Sequence, residues 1–576
     1  MFKEQGNFME SLDLLIVGAG PAGLLASSIA STIGLTHQVI EQRTGLHTEP
    51  SAHVLKTHTM EVYGRIGAAE EIFQLCTPPE LQTCIAWCES IGGLTYGRLD
   101  LTGRRGKVSR FMNISTAHSA NLPQNIVEPI LHARAKALAG HDPVSFATPF
   151  SDFSQDDDGV TVTIGIGAEA RQVRTRYLIG ADGAASAVRR SAGLRMEGPQ
   201  ALAHFLAIHI KSDMMPFLAR NPALIFFIRS AAHEGFFIVH QPVGSQVFMM
   251  RYDPEATPYE SFDEAKCQSI MKEVFGCPHD FSIAAIDRWA MSAQVASGYR
   301  NDRVFLIGDA GHRFPPTGGL GLNTGVEDVE NLIWKLGAVL RGEAGEALLD
   351  SYELECRPTA VRNTNQSVSN HSRMSEVDTV LGSNGDKADF QASIDALKAN
   401  PDHPRFAQIQ TAINDQMPHF SFLELEVAAS PKTGAFLPAN RPIEHPVPPN
   451  EGYQPSLQPG GHIPHFWIAP DRASINVLSF DRLTLFAPSS ELLLWQTAVD
   501  ALPDNRMGVN IVPVDPGMHS PIASMGDFWG GDPFAFLVRP DGRIAWVEPM
   551  HVSDRSVALA DAIDQVTGWK VSETVS

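Results

Sequence analysis

Cysteine is scarce in this 576-residue chain, and positive charge falls short of negative. The six cysteines, Cys76, Cys84, Cys88, Cys267, Cys277 and Cys356, show no regular framework. A small disulfide-stapled scaffold is therefore excluded, and buried free thiols in a large cytoplasmic protein are expected. Cys84 and Cys88, four apart, could share a helix face, but no second pair matches them and they do not read as a zinc site. His47, His53 and His58 lack a carboxylate or cysteine partner at a recognised spacing, so no metal is expected. Lys and Arg number 44 against 65 Asp and Glu, a formal net charge of −21. Nucleic acid binding needs the opposite surplus and is excluded. No apolar run approaches membrane-spanning length, and MFKEQGNFMESLDLL carries no signal-peptide core. No Gly-x-Ser-x-Gly elbow supports a serine hydrolase. With 43% apolar and 19% charged residues the chain is not disordered, and its length predicts two or three domains.

What is present is a set of glycine-rich turns at strand ends. In VFLIGDAGHRFPPTGGLGLN, Val304 to Ile307 read as a parallel strand buried on both faces, ending in Gly308 and Asp309 where α/β sheets bind ligands. From Asn323 a helical stripe follows, Val326, Val329, Leu332, Ile333 and Leu336, with Glu327, Asp328 and Glu330 on the other face. Near the amino terminus, Asp13 to Val17 run into Gly18-Ala-Gly20-Pro21-Ala22-Gly23, a helix over Leu24 to Ile33, and a second strand ending at Glu41. That is the dinucleotide fingerprint in its required context. Gly18 allows the turn, Gly20 admits a pyrophosphate, Gly23 lets helix and strand pack, and Glu41 can accept from a ribose hydroxyl, which favours FAD or NAD. A third strand ends in Gly-Ala181-Asp182-Gly183. Three strand ends thus point at one ligand.

Together these motifs resemble those of the single-component flavoprotein aromatic hydroxylases, the group that includes phenol hydroxylase and para-hydroxybenzoate hydroxylase. Asp182 and Gly183, with Val188-Arg189, match the stretch that serves both FAD and the nicotinamide cofactor. Gly308 and Asp309 match the turn on the flavin ribityl chain, and Gln124 in Leu122-Pro-Gln-Asn-Ile-Val-Glu128-Pro matches a glutamine that contacts FAD. Leu349 to Pro358 look like the family's closing helix. The resemblance implies a Rossmann-like α/β FAD-binding domain, an inserted β-sheet substrate domain and a carboxyl-terminal thioredoxin-like domain. It implies FAD contacts from Gly18, Gly20, Pro21, Ala22, Gly23, Glu41, Gln42, Arg43, Gln124, Asp182, Gly183, Gly308, Asp309, Pro316, Gly319, Gly321, Leu322 and Asn323. Relatives commonly carry arginine where Ser51 and His58 stand, so neither is carried over as a ligand, and Arg43 or another residue takes those contacts. His53 matches a histidine near the flavin and the substrate hydroxyl in the phenol-hydroxylating branch.

The chemistry implied is reduction of non-covalent FAD by NAD(P)H, with NADPH slightly favoured, uptake of O2 to a C4a-hydroperoxide, and hydroxylation of a phenolic ring. His53 is the candidate base that withdraws the phenolic proton; the alternative is a helix-start histidine bonded to backbone. Arg229, His240, Gln241 and Arg251 lie on strands of a roof over the flavin, and alternation turns about half of such side chains outward. Two other readings stay open: a same-fold flavoenzyme performing epoxidation, Baeyer–Villiger or oxidase chemistry, and a non-catalytic FAD-binding protein. The organisation expected is an FAD-binding part over 1–190 with inserted substrate-domain segments around 80–115, a substrate sheet over 191–285, and the second FAD-binding part with helices over 286–430. A proline-rich surface linker over 431–464 and a carboxyl-terminal domain over 465–576 follow. In that last domain strands are expected at Ile475–Leu478, Leu483–Ala487 and Val509–Val512, a helix at Glu491–Leu502, and a hairpin turning at Asp541-Gly542. It has no cysteine, so its role is structural or as an assembly surface. A homodimer is the expected assembly.

Overall fold

The computed structural model describes residues 12–101, 114–165, 167, 170–420, 427, 430–446 and 453–569. The amino-terminal stretch read for a leader, part of the 80–115 insertion and part of the proline-rich run lie outside them.

Strand Leu12–Val17 pairs in parallel with His37–Ile40 on one side and with Arg171–Gly180 on the other. Arg171–Gly180 pairs in parallel with Val304–Leu306. The registers put Val17 opposite Gly180 and Gly180 opposite Leu306, so three strands end level and side by side. Val304 to Ile307 are wholly buried, as a strand covered on both faces requires. Helices Pro21–Thr32 and Gly321–Leu340 pack together. The second is buried around most of its girth. Its acidic residues do not form a solvent face, because Asp328 and Glu330 sit 1% and 3% exposed against partners from other elements.

The roof is a seven-stranded sheet in the order Phe281–Met291, Ala203–Ser212, Ser245–Arg251, Glu234–Gln241, Ala223–Arg229, Cys84–Cys88 and Thr95–Asp100. Cys84 and Cys88 therefore lie on a strand and not on a helix, drawn in by parallel pairing with Ala223–Arg229. Alternation sorts its residues. Leu206, Ile208, Phe237 and Val239 pack on one face with helix Glu264–Phe275, while Ala207, Ile238 and Val247 line the other with Ile225, Phe236, Met249 and Trp289.

The carboxyl-terminal region holds a four-stranded sheet in the order Val509–Val514, Leu483–Pro488, Phe536–Val538, Ile544–Val547, the first pair parallel and the others antiparallel. Helices Leu492–Asp500 and Arg555–Val566 pack together in its core. Ser474–Val477 is a turn of 3-10 helix where a strand was expected. It follows a backbone bond from Ser474 to Phe466, with no strand partner alongside. The proline-rich run is exposed or half-buried over most of residues 431–446 and is fixed to the sheet at a few points. Leu437, Gly460 and Ile463 donate backbone bonds to Ala545, Ile544 and Gly542, and Leu457 and Ile463 are buried in the core. A chain poor in free N–H groups can still be stitched to a strand edge by the few that remain. Trp334 and Ala338 of the Gly321–Leu340 helix pack in the cluster that holds Trp495, Trp546 and Leu559. Among the described residues no helix is long and apolar enough to cross a membrane.

Candidate functional site

The cradle at the level strand ends is shaped by what a side chain would strike. At Gly18, φ is +109° and a Cβ would sit 2.3 Å from the Ala181 carbonyl; at Gly23 it would sit 1.9 Å from the Gly18 carbonyl. The fold itself demands both. At Gly20 and Gly321 a Cβ would meet nothing within 4 Å, and the same holds at Gly183, whose φ is +72°. Space beside the backbone is open at all three. Helix Pro21–Thr32 starts at Gly20 with Pro21 in its first turn, and Gly321–Leu340 starts at Leu320; neither has a side-chain cap. The first-turn amides around Ala22, and those of Gly321, Leu322 and Asn323, therefore lack intrahelical acceptors and suit an electron-rich ligand.

Glu41 is buried at the end of its strand. It accepts from the Ala19 amide at 2.9 Å and from the Arg43 amide and Nε at 2.9 and 3.0 Å. Burial alone would raise its carboxyl, but Arg43 and these amides outweigh it, and the group is held below its ordinary range. Arg43 is thereby committed to Glu41, and Gln42 is exposed beside it. Gln124 donates to Glu128 at 2.7 Å. Asp182 accepts the Ala187 and Val188 amides on Oδ2 at 2.6 and 3.1 Å, while its buried Oδ1 has no partner among the described residues. Arg189 donates to the Ala310 carbonyl at 2.7 Å, which ties the Asp182 turn to the Asp309 turn.

Solvent reaches Asp309 although protein crowds it, the combination expected of a group lining an open cleft. That crowding raises its carboxyl, with His312 and Arg313 opposing. The turn beneath it is held by Asp328, which accepts the Gly308 amide at 3.0 Å and lies 2.9 Å from His312 Nε2. Sequence reasoning missed both residues, because Asp328 shares its helix face with Glu327 and Glu330 and reads with them as solvent-facing. A Cβ on Gly325 would come within 3.1 Å of the Gly308 Cα, so helix and strand end nearly touch. Asn323 spends its side chain inside the protein. Oδ1 accepts from the Lys56 amide and Thr59 at 2.8 and 2.6 Å, and Nδ2 donates to the Val54 and Gly319 carbonyls at 2.9 and 2.6 Å. Only its backbone is left for a ligand. Pro316 accepts the Gly319 amide at 3.1 Å in the loop before it.

His53 is not at a helix start. It precedes the short strand Val54–Leu55, which pairs with Ala120–Asn121, and its carbonyl accepts from Leu122. Its Nδ1 meets Asn121 Oδ1 at short range. The Asn121 amide is oriented by donating to Thr77 Oγ1 at 3.0 Å, and Thr77 in turn donates to the His240 carbonyl at 3.3 Å. With Oδ1 the acceptor, Nδ1 carries the proton and Nε2 is the free acceptor; the network assigns the tautomer. Burial lowers the imidazole from its ordinary value despite the Asn121 bond, so the ring is held neutral. His240, wholly buried, stands 5.1 Å away ring to ring, and neither of its nitrogens has a partner among the described residues. Burial and His53 push it well down. Of the other roof candidates, Arg229 is locked to Asp378 at 2.5 Å, Arg251 is exposed and Gln241 half-buried.

His58 points elsewhere. Spacing showed it no carboxylate, yet in space it lies 3.2 Å from Glu61 and 2.9 Å from Glu330.

A family model described as "FAD binding domain" matches residues 11–367. The chain is similar to 2,4-dichlorophenol 6-monooxygenase of Delftia acidovorans, at 28% identity over 93% of this chain and 94% of that protein. It is also similar to phenol 2-monooxygenase of Pseudomonas sp. (strain EST1001), at 27% identity over 96% and 92%. Among solved structures it resembles the flavin-dependent monooxygenase PieE in complex with FAD and substrate, with a TM-score of 0.87 at 27% identity over 97% of this chain and 99% of that one. Aklavinone-11 hydroxylase with FAD and aklavinone gives a TM-score of 0.80 at 27% identity over 98% and 100%.

Proposed function

The chain belongs to the FAD binding domain family, and on that premise we propose that it is an FAD-dependent monooxygenase that hydroxylates a phenolic aromatic ring, with NAD(P)H and O2 as co-substrates and NADPH slightly favoured over NADH. The observation that carries the reading is His53, turned by Asn121 into a neutral acceptor beside the apolar face of the roof. Bound FAD supplies the redox and oxygen-transfer chemistry. The chain's own residues bind, orient and deprotonate. Gly20, the first-turn amides of the two helices, Glu41, Asp182 and Asp309 hold the nucleotide, with Pro21, Ala22, Gln124, Pro316 and Gly319 shaping its walls. Ala207, Ile238, Val247, Phe236, Met249 and Trp289 keep the ring's surroundings dry, which limits loss of oxidising equivalents to water.

A phenol ionises near pH 10 and an imidazole near 6.5, so a fixed acceptor at Nε2 biases the phenol toward phenolate and makes its ring more nucleophilic. His53 must be neutral to act. Its lowered pKa keeps it so through neutral pH, and activity should fall only on acidification below that value. The domain divisions near 190, 285, 430 and 464, a thioredoxin-like reading of the last sheet, and a homodimeric assembly belong to the same proposal.

The test is NAD(P)H oxidation with and without phenols, coupled to product detection. Slow oxidation that a phenol stimulates, with hydroxylated product, is expected. Rapid oxidation indifferent to every phenol, or product from ketones or alkenes alone, would defeat the reading. Asp309→Ala should lose most of the bound flavin, measured as visible flavin absorbance per chain; undiminished flavin would mean that the Gly308 turn does not face the cofactor.

A further inference from the structure

Three buried ligand-type side chains meet where the helix Thr57–Arg65 touches the carboxyl-terminal region. His58 Nδ1 lies 3.2 Å from Glu61 Oε2, and His462 Nε2 lies 3.6 Å from the same oxygen. The three ligand atoms fall within 4.8 Å of one another, and the side chains are 3–5% exposed. A tetrahedral Zn2+ with bonds of about 2.0–2.2 Å holds its ligand atoms about 3.3–3.5 Å apart. The observed separations from Glu61 bracket that range.

The surrounding shell fits as well. His58 directs its other nitrogen, Nε2, at Glu330 Oε2 at 2.9 Å, the carboxylate that orients a metal-bound imidazole. His462 Nδ1 lies 3.0 Å from the Ile463 carbonyl, which leaves Nε2 with its lone pair toward Glu61. That Nε2 is buried and has no hydrogen-bond partner among the described residues. A lone pair facing a carboxylate oxygen is unfavourable unless a cation lies between them. Ser115 donates to Glu61 Oε1 at 2.5 Å and so fixes the ligating carboxylate. Glu61 and His462 thus each have their second polar atom bonded, and the second nitrogen of His58 faces the Glu330 carboxylate.

We infer that His58 Nδ1, Glu61 Oε2 and His462 Nε2 form a structural Zn2+ site that fastens the carboxyl-terminal region to the FAD-binding part. The ion takes the place of any proton on Nδ1 of His58, so binding releases that proton and weakens in acid. Imidazole and carboxylate donors suit Zn2+ among the common divalent ions. The fourth position is left to water.

The test uses tag-free holoprotein, purified without added metal and then dialysed against a chelator. Elemental analysis before dialysis should find about one zinc per chain. Zn2+ added back should raise the thermal midpoint, and Co2+ in its place should give the strong visible bands of a near-tetrahedral site at one ion per chain. Ser115→Ala, which leaves all three ligands in place, should weaken Zn2+ binding about 10- to 100-fold. His462→Ala and Glu61→Gln should abolish the Co2+ bands. Wild-type protein alone can overturn the assignment, whatever becomes of the variants: no retained zinc, no midpoint shift with Zn2+ and no Co2+ bands would leave His58 an imidazolium shared by Glu61 and Glu330. Co2+ bands that survive in folded His462→Ala would place the ion elsewhere and equally refute this site.

Discussion

His53→Ala should yield a protein that is still yellow and still reduced by NAD(P)H, yet hydroxylates about 10²-fold more slowly or worse, the usual share of a general base. The glycine turns, Glu41 and Asp309 are untouched by the change, so flavin content should match wild type. Reducing equivalents that no longer reach the ring should appear as hydrogen peroxide. The deficit should shrink as pH rises toward the phenol's own ionisation, where solution begins to supply the phenolate. Asn121→Ala provides an independent check, because it removes the acceptor that holds the proton on Nδ1. It should give part of the same loss with normal flavin content, and the loss should carry the same pH dependence. Full hydroxylation by His53→Ala at neutral pH would sink the role assigned to it. His240, buried 5.1 Å away with both nitrogens free of partners among the described residues, would then be the group to test.

Arg539→Ala should be the most destabilising single change outside the site. The guanidinium is wholly buried and bonds Glu355 through two nitrogens at 2.7 Å and Asp541 through Nε at 2.9 Å. Lys335 lies 3.2 Å from Glu355, and Asn331 donates to both carboxylates. Removing the arginine takes the bidentate partner from one buried carboxylate and the nearest guanidinium from the other, a loss of about 3–5 kcal/mol. Burial by itself would raise both carboxyls, but Arg539 outweighs it and holds both low. The stability from these lowered pKa values is full above the ordinary values of 4.5 and 3.8 and is lost as pH falls toward the folded ones, so wild type should show an acid-sensitive step that Arg539→Ala lacks. Urea unfolding across pH measures both effects. An unchanged midpoint would mean that water reaches the network.

That network also ties the carboxyl-terminal region to the FAD-binding part. Glu355 and Lys335 belong to helices of the FAD-binding part, Arg539 and Asp541 to the final hairpin, and Arg65 donates to the Pro540 carbonyl at 2.8 Å. Trp334 packs in the same core as Trp495 and Trp546. The helix that carries Lys335 begins at Gly321, in the cradle. A chain cut near Pro446 should therefore lose flavin along with stability. A truncated protein with full flavin content would show that the helix start holds without its far end.

Local pattern was enough for much of this molecule. Short runs of Val, Ile and Leu ending in glycine marked the three parallel strands, because the backbone turns at Gly18 and Gly308 with φ of +109° and +58°, a conformation that L side chains rarely adopt. Strands carrying Arg229, His240, Gln241 and Arg251 marked the roof, but which of these side chains face inward depends on register, because a strand turns successive residues to opposite faces. Those rules act over a few residues and can be read along the chain. What pairs with a given group cannot be. Cys84–Cys88 became a strand because Ala223–Arg229 lies beside it, and Leu437 and Gly460 of the proline-rich run are pinned because Ala545 and Ile544 offer them carbonyls. His53 took one tautomer because Asn121, 68 residues on, presents an oxygen. The acids on the Gly321–Leu340 helix, which patterning would turn to solvent, are buried because His312, Arg65 and His58 arrive from elsewhere to share their charge. The sequence by itself determined where the backbone can turn and which faces are apolar. Only the tertiary structure decided which polar groups meet, because burying a charge is tolerable only when its partner arrives with it, from any distance along the chain.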